Sequence, residues 1–267
     1  KSFKDLFCIE LCSSIYFNSN HNNNHNHNYN NNNHNHIEKF WVGLMDGDGS
    51  IQVNHWRKKN LQYRLIIKLS NLESNVKMLT LISKQLKGKV RITKDGKFVI
   101  WFIDNKNHII EAIKIFDRYP PLTSRLTCCL SFLKSCLNNN DVLTYLAQRD
   151  LKYSNQNNLI QEKIFKFELP LDYFNSWLSG FIEAEGCFSI RKIGTYSFSI
   201  GQNDDIYLIN AIKNFFGATN IIRKKNRFYY LEIYKKDILF KILDHCENYP
   251  LLGAKYDSLL IFKKFFE

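Results

Sequence analysis

The 267-residue chain carries 37 lysines and arginines against 25 aspartates and glutamates, a net charge of +12, with 45% hydrophobic and 15% aromatic residues. That composition can bury one large core or two small ones, and the basic excess suits a polyanionic partner whose condensed counterions are released as its phosphates are neutralised. The seven cysteines include no Cys-x-x-Cys pair and none has a histidine at zinc-finger spacing, which excludes the common zinc modules, while the apolar run Phe3–Phe17 is broken by Lys4, Asp5 and Glu10 and is too short to span a bilayer. Free thiols in a reducing compartment and no membrane partner are therefore expected.

In chain order, residues 1–36 read as an N-terminal extension, because the Asn/His tract Asn18–His36 has no apolar pattern to offset the entropy of ordering it. From Ile37 a helical run ends in Gly43-Leu44-Met45-Asp46-Gly47-Asp48-Gly49. Alternation predicts strands over Ser50–Trp56 and Leu61–Ser70, then a helix over Ser74–Leu86. Strands over Val90–Thr93 and Phe98–Ile103, a helix over Asn107–Asp117, the punctuation Tyr119-Pro120 and an apolar helix over Leu122–Leu137 complete a first unit, residues 37–137. A polar stretch rich in Asn, Asp and Gln predicts a linker over residues 138–170. A second unit, residues 171–267, repeats the order: helix Leu171–Ala184, strands Cys187–Lys192 and Tyr196–Gln202, helix Asp205–Phe216. Strands over Ile221–Arg223 and Phe228–Ile233, helix Lys236–Glu247, Tyr249-Pro250 and helix Leu251–Phe266 close it.

The repetition can be checked residue by residue. Gly43 and Gly180 are 137 positions apart, as are Asp48 and Glu185, while the two Tyr-Pro pairs are 130 apart. An α-β-β-α-β-β-α unit present twice defines an α+β fold of two repeats, each with its own antiparallel sheet.

Two segments carry the chemistry, Trp41–Ser50 (WVGLMDGDGS) and Leu178–Cys187 (LSGFIEAEGC). Each places two small residues four apart, Gly43 with Gly47 and Gly180 with Ala184, on one helix face where two backbones can approach. Each then ends in acid-x-acid-Gly, the glycine permitting a sharp exit into a strand. Face-to-face packing of two such helices would bring Asp48 and Glu185 together, and paired carboxylates attract a hard divalent cation. A calcium-binding EF-hand loop is excluded, since it would need glycine where Ile51 stands and glutamate where Arg57 stands.

These doubled motifs resemble the LAGLIDADG homing endonuclease family, in its single-chain, two-motif form, over residues 37–267. The resemblance implies two pseudo-twofold-related αββαββα repeats whose sheets form a saddle over double-stranded DNA. It implies a metal-dependent double-strand break in a long target with short 3′ overhangs, made by a monomer. Asp48 and Glu185 would ligate Mg²⁺ or Mn²⁺, with Gly47 and Ala184 beside them, and Ca²⁺ would bind without supporting cleavage. It also suggests supporting roles for Asn71 and Gln202, polar residues at the end of the second strands, and for Arg125 and Lys255, the basic residues after the Tyr-Pro elements. Two alternatives stay open: a maturase that assists splicing of group I intron RNA, and a DNA-binding relative without chemistry. The bias toward residues with AT-rich codons, together with the resemblance, points to a mitochondrial origin.

Strand alternation nominates the DNA-facing side chains. With Ile51, Val53, Phe188 and Ile190 pointing inward, Ser50, Gln52, Asn54, Trp56, Ser189 and Arg191 point outward, and Arg64, Lys68, Ser197 and Ser199 extend those rows. Such residues read base edges in a major groove wide enough for a β-ribbon. Arg57-Lys58-Lys59 and Arg223-Lys224-Lys225 with Arg227 are expected in turns, touching phosphates.

Overall fold

Period-two apolar spacing builds two sheets of the same topology. In the computed structural model, which describes residues 32–139, 141–190 and 194–266, β1 (Gly49–Trp56) and β2 (Asn60–Ser70) form an antiparallel hairpin. β4 (Phe98–Ile103) pairs with β2, and β3 (Lys89–Ile92) with β4, giving the order β1-β2-β4-β3. The second repeat reproduces it as β5-β6-β8-β7, from β5 (Cys187–Ile190), β6 (Tyr196–Asn203), β7 (Arg223–Lys225) and β8 (Phe228–Ile233).

Each sheet is covered on one face only. Leu65, Ile67, Val99, Trp101 and Ile103 are buried against α2 (Glu73–Leu86) and α3 (Lys106–Arg118), and Phe198, Ile200, Leu231 and Ile233 against α8 (Ile206–Phe216) and α9 (Lys236–Asn248). α4 (Ser124–Asn139) packs on β1, and α10 (Ala254–Phe266) packs on β5. The opposite face of the first sheet carries half-exposed or exposed side chains, among them Ser50, Gln52, Arg64 and Lys68.

α1 (Asn32–Gly47) and α7 (Phe174–Glu185) join the repeats along the largest helix–helix contact among the described residues. A Cβ added at Gly43 would lie 1.9 Å from the Trp177 carbonyl oxygen, and one at Gly180 would lie 1.9 Å from that of Phe40. The backbones therefore touch at two symmetry-related points, which no side chain larger than hydrogen permits. Trp41, Leu44, Trp177 and Phe181 fill the flanks without exposure.

Three sequence expectations change. α1 begins at Asn32 rather than Ile37, so the end of the Asn/His tract is part of the body: Tyr119 donates to the Asn35 amide oxygen at 2.7 Å, and His36 bonds Ser176 Oγ at 2.9 Å. Residues 1–31 lie outside the described residues. The expected linker 138–170 contains α5 (Val142–Gln148), a 3₁₀ turn (Arg149–Leu151) and α6 (Gln156–Lys166). Asp141 caps α5 by accepting from the amides of Leu143 and Thr144, while α6 docks through Gln156, which donates to Ser124 Oγ, and Lys163, which donates to the Leu122 carbonyl. Finally, Arg223, Lys224 and Lys225 form the exposed edge strand β7, leaving only Asn226 and Arg227 in the turn.

The glycine contact makes a direct prediction. Gly43→Ala should destabilise the protein by roughly 3 kcal/mol or more, because backbone on both sides of the crossing must separate. Gly96→Ala, at φ +68° with nothing within 4 Å, should cost only about 1 kcal/mol. Urea unfolding of the two variants checks the ranking.

Candidate active site

The helix crossing also fixes the acids. α1 ends at Gly47 and α7 at Glu185, and a Cβ on Gly47 would sit 2.2 Å from Ala184 Cβ and 3.4 Å from Glu185 Oε1. Asp48 follows Gly47 directly, and both Asp48 and Glu185 are half-buried. Each carboxylate stands at a helix C-terminus, where the unsatisfied carbonyls add negative partial charge. Both features make the seam a sink for positive charge.

The first acid of each motif has another task that the sequence did not disclose. Asp46 is fully buried and accepts from the amides of Leu122 and Thr123, the Thr123 hydroxyl and Trp177 Nε1. Glu183 accepts from the amides of Gly253 and Lys255 at 3.0 and 2.9 Å. Each satisfies orphan donors at the start of its own repeat's last helix, α4 or α10. Burial pushes both carboxyls up, and the donors pull them back. A second pair works across the repeats: Ser124 N donates to Asp205 Oδ2 at 3.0 Å, and Ala254 N donates to Asn75 Oδ1 at 2.9 Å. Asn75 and Asp205 are 130 positions apart, the spacing of the Tyr-Pro pairs, the only sequence signal that could have found them.

The basic pair is not equivalent. Arg125 donates to the carbonyls of Gly49 at 3.1 Å and Asp46 at 3.0 Å, and also lies near those of Met45 and Gly47, so its guanidinium clamps the end of α1. A single ammonium could not span that set of acceptors as a planar fork does. Lys255 is half-buried one position into α10, and its backbone amide is the group that bonds Glu183.

Asn71 and Gln202 do not form a matched pair. Strand register sets Leu69 opposite Val99 and Gln202 opposite Tyr229, so Gln202 occupies the place of Leu69 and points to the core side, where it is buried and bonds the Asn203 amide. Asn71 lies beyond β2 and donates to the Gly96 carbonyl at 2.8 Å. Period-two geometry explains the error, since a register offset of one residue exchanges the faces.

On the open sheet faces, Ser50, Gln52, Asn54, Trp56, Arg64 and Lys68 stand outward, and Asp48, Ser50, Gln52, Arg64 and Lys68 line one depression of about 250 Å³. Arg57 and Lys58 form the β1–β2 hairpin tip at φ 50° and 56°, with Arg57 over the Trp56 ring and Lys59 N bonded to the Trp56 carbonyl. In the second sheet Ser189 and Ser199 are half-exposed. Ser197 is 2% exposed and so leaves the accessible set. Arg227 is exposed but pairs through two nitrogens with Asp204. Arg191 lies outside the described residues.

Two one-sided sheets flanking a paired-helix seam, with an acid at the end of each helix, define a pseudo-symmetric two-repeat α+β protein. A model of the LAGLIDADG endonuclease family matches residues 41–136 and 178–266, one motif in each repeat, and the chain belongs to that family. A probable intron-encoded endonuclease aI3 of Debaryomyces hansenii is 50% identical over 259 residues, an alignment covering 85% of this chain and 38% of the relative, so the chain spans well under half of that protein. The protein of the same description from Dictyostelium citrinum is 47% identical, covering 86% of this chain and 95% of the relative. Among solved structures, I-SmaMI bound to uncleaved DNA target in the presence of calcium ions superposes with a TM-score of 0.68 at 18% identity, covering 85% of this chain and 89% of that one. I-AabMI bound to uncleaved DNA gives 0.63 at 21% identity, with the same coverages.

The cross-repeat caps yield a pH prediction. Burial raises Asp205 from 3.8 to about 6, while its bonds to Ser124 pull it down. Because the folded value lies above the unfolded one, the stability Asp205 contributes is full below about pH 4 and is lost as pH rises through 6. Asparagine already does this work at position 75, so Asp205→Asn should leave stability nearly unchanged at pH 4 and raise it at pH 8, by up to roughly 3 kcal/mol. Denaturation midpoints across that range test it, and a variant less stable at pH 8 would contradict it.

Proposed function

We propose that this protein is a site-specific homing endonuclease that breaks both strands of a long DNA target and leaves short 3′ overhangs. The observation that carries the reading is the Gly47–Ala184 contact, which sets the helix ends bearing Asp48 and Glu185 side by side, between two sheet faces edged with basic side chains. The family to which the chain belongs and the DNA-bound neighbours of its fold support it. The kinship with intron-encoded endonucleases supports a role in intron homing, and we place it in the mitochondrion, acting as a monomer.

The donor set fits a hard divalent cation such as Mg²⁺ or Mn²⁺. Two carboxylates stand on adjoining helix ends, and among the described residues no cluster of three or more His, Cys, Asp or Glu accompanies them. Mg²⁺ takes one or two carboxylates together with water and substrate phosphate oxygens, so a duplex laid over the seam would complete its coordination. When bound, the cation would supply Lewis-acid activation of water and of the leaving oxygen. Asp48 and Glu185 would hold it, with the backbone at Gly47 and Ala184 against the same seam. Arg125 would fix the α1 terminus that carries Asp48, and Lys255 would offset charge near the scissile phosphate. Ser50, Gln52, Asn54, Arg64 and Lys68, with Ser189 and Ser199, would face base edges, and Arg57, Lys58, Lys59, Arg223, Lys224 and Lys225 the phosphates.

The test uses a duplex spanning the intron-free insertion site. Asp48→Asn and Glu185→Gln should each lower double-strand cleavage in Mg²⁺ by on the order of 10³-fold, with binding in Ca²⁺ changed only a few-fold. Full cutting by either variant would remove these residues from the active site. Replacing Arg57, Lys58 and Lys59 with alanine should weaken target and random duplexes alike and flatten the salt dependence by about 0.9 per lost phosphate contact.

A further inference from the structure

The uncovered faces of the two sheets differ in chemistry. Register places Ser50, Ile66, Phe102 and Lys89 in one row across the first sheet, and Lys68, Ile100 and Arg91 in the next. Ile66, Ile100 and Phe102 are therefore neighbours on the face that no helix covers, and all three are half-exposed. They line the same depression as Asp48, Ser50, Gln52, Arg64, Lys68 and Arg91. Arg91 and Arg64 stand over the Phe102 ring at 5.0 and 5.8 Å. The result is a small apolar floor within a basic frame, beginning at the acid seam.

The second repeat has no such floor. By the same register, Ser199 stands where Ile66 does, Glu232 in place of Phe102 and Tyr230 in place of Ile100. Glu232 is paired with Arg223 at 3.7 Å, so the row beside the acid seam is polar, and the stacked rings of Phe228 and Tyr230 lie farther along the strand.

Resting on the reading of these faces as the DNA-binding surface, we propose that Ile66, Ile100 and Phe102 are specificity determinants for thymine in the half-site under the first repeat. The major-groove edge of a base pair offers one apolar feature, the C5 methyl of thymine; every other group there is a hydrogen-bond donor or acceptor, or a bare C–H. Isoleucine and phenylalanine side chains cannot satisfy those polar groups and would leave them desolvated, whereas a methyl packs against them. Arg64, Lys68, Lys89 and Arg91 around the floor suit the flanking phosphates and guanines. The half-site under the second repeat lacks this preference beside the seam, since Ser199 and Glu232 present a hydroxyl and a carboxylate where Ile66 and Phe102 stand.

The experiment selects bound duplexes from a randomised library with the full chain in Ca²⁺. It then replaces thymine by deoxyuridine, which lacks only the methyl, in one half of the selected duplex at a time. In one half-site alone, each critical replacement should weaken binding about three- to fivefold, the worth of one buried methyl-sized group. In Ile66→Ser, which installs the residue the second repeat carries, that sensitivity should vanish at one or more positions, while binding of the deoxyuridine duplex stays within about twofold of the parent chain's. Deoxyuridine tolerated in both half-sites, or a sensitivity unchanged in both Ile66→Ser and Phe102→Ser, would overturn the thymine assignment and leave DNA binding intact. Enrichment of no duplex at all would instead overturn the DNA-binding reading on which it rests.

Discussion

Backbone contact between α1 and α7 at Gly43 and Gly180 is the constraint on which the other features depend. With carbonyls of one helix lying where a Cβ of the other would be, the helices approach as closely as peptide groups allow, and their C-termini reach the same point. That closeness places two carboxylates and two negative helix ends together, an arrangement unfavourable by itself. The surrounding caps hold it: Trp177 bonds Asp46 across the seam, and Arg125 covers the carbonyls at the end of α1. The sheets hang from this axis, since β1 begins at Gly49 directly after Asp48 and β5 at Cys187, one glycine after Glu185.

Much of this was legible in the sequence because it depends on local periodicity. The apolar and aromatic runs Phe98–Ile103 and Phe228–Ile233 coincide with β4 and β8, and the doubled acid-x-acid-Gly motif falls at the ends of α1 and α7. What escaped depends on partners distant in sequence. His36 closes an Asn/His tract that looks unstructured, yet its ring meets Ser176 and Pro250 from the other repeat. The segment 138–170 scatters its apolar residues among Asn, Gln and charged ones, and its helices hold through dispersed contacts such as Val142, Tyr145, Ile160 and Lys163, which no continuous stripe announces. Gln202 was lost for a different reason: one residue separates a strand's wet face from its dry one, and only the pairing with Tyr229 fixes which it is.

The repeats share this axis, their sheet order and their capping sites, and have diverged in the side chains that fill them. Asparagine caps one last helix where aspartate caps the other; arginine grips a helix end where lysine stands in the second repeat. An apolar patch lies on one sheet face where the other is polar. Symmetry is retained where backbones touch and has drifted where side chains meet solvent or ligand, as expected when only the glycine positions are fixed by sterics.

The crossed caps carry a consequence for modularity. Asp205 finishes a helix that belongs to the first repeat, and Asn75 one that belongs to the second. Neither half is thus a self-contained building block: cut apart, each would expose helix-start amides whose acceptor left with its twin. Recombining halves from different family members would transplant not only a sheet and its reading surface but also one donor–acceptor match in each direction. The pair of residues 75 and 205, far from any sheet face, would then decide which hybrids assemble.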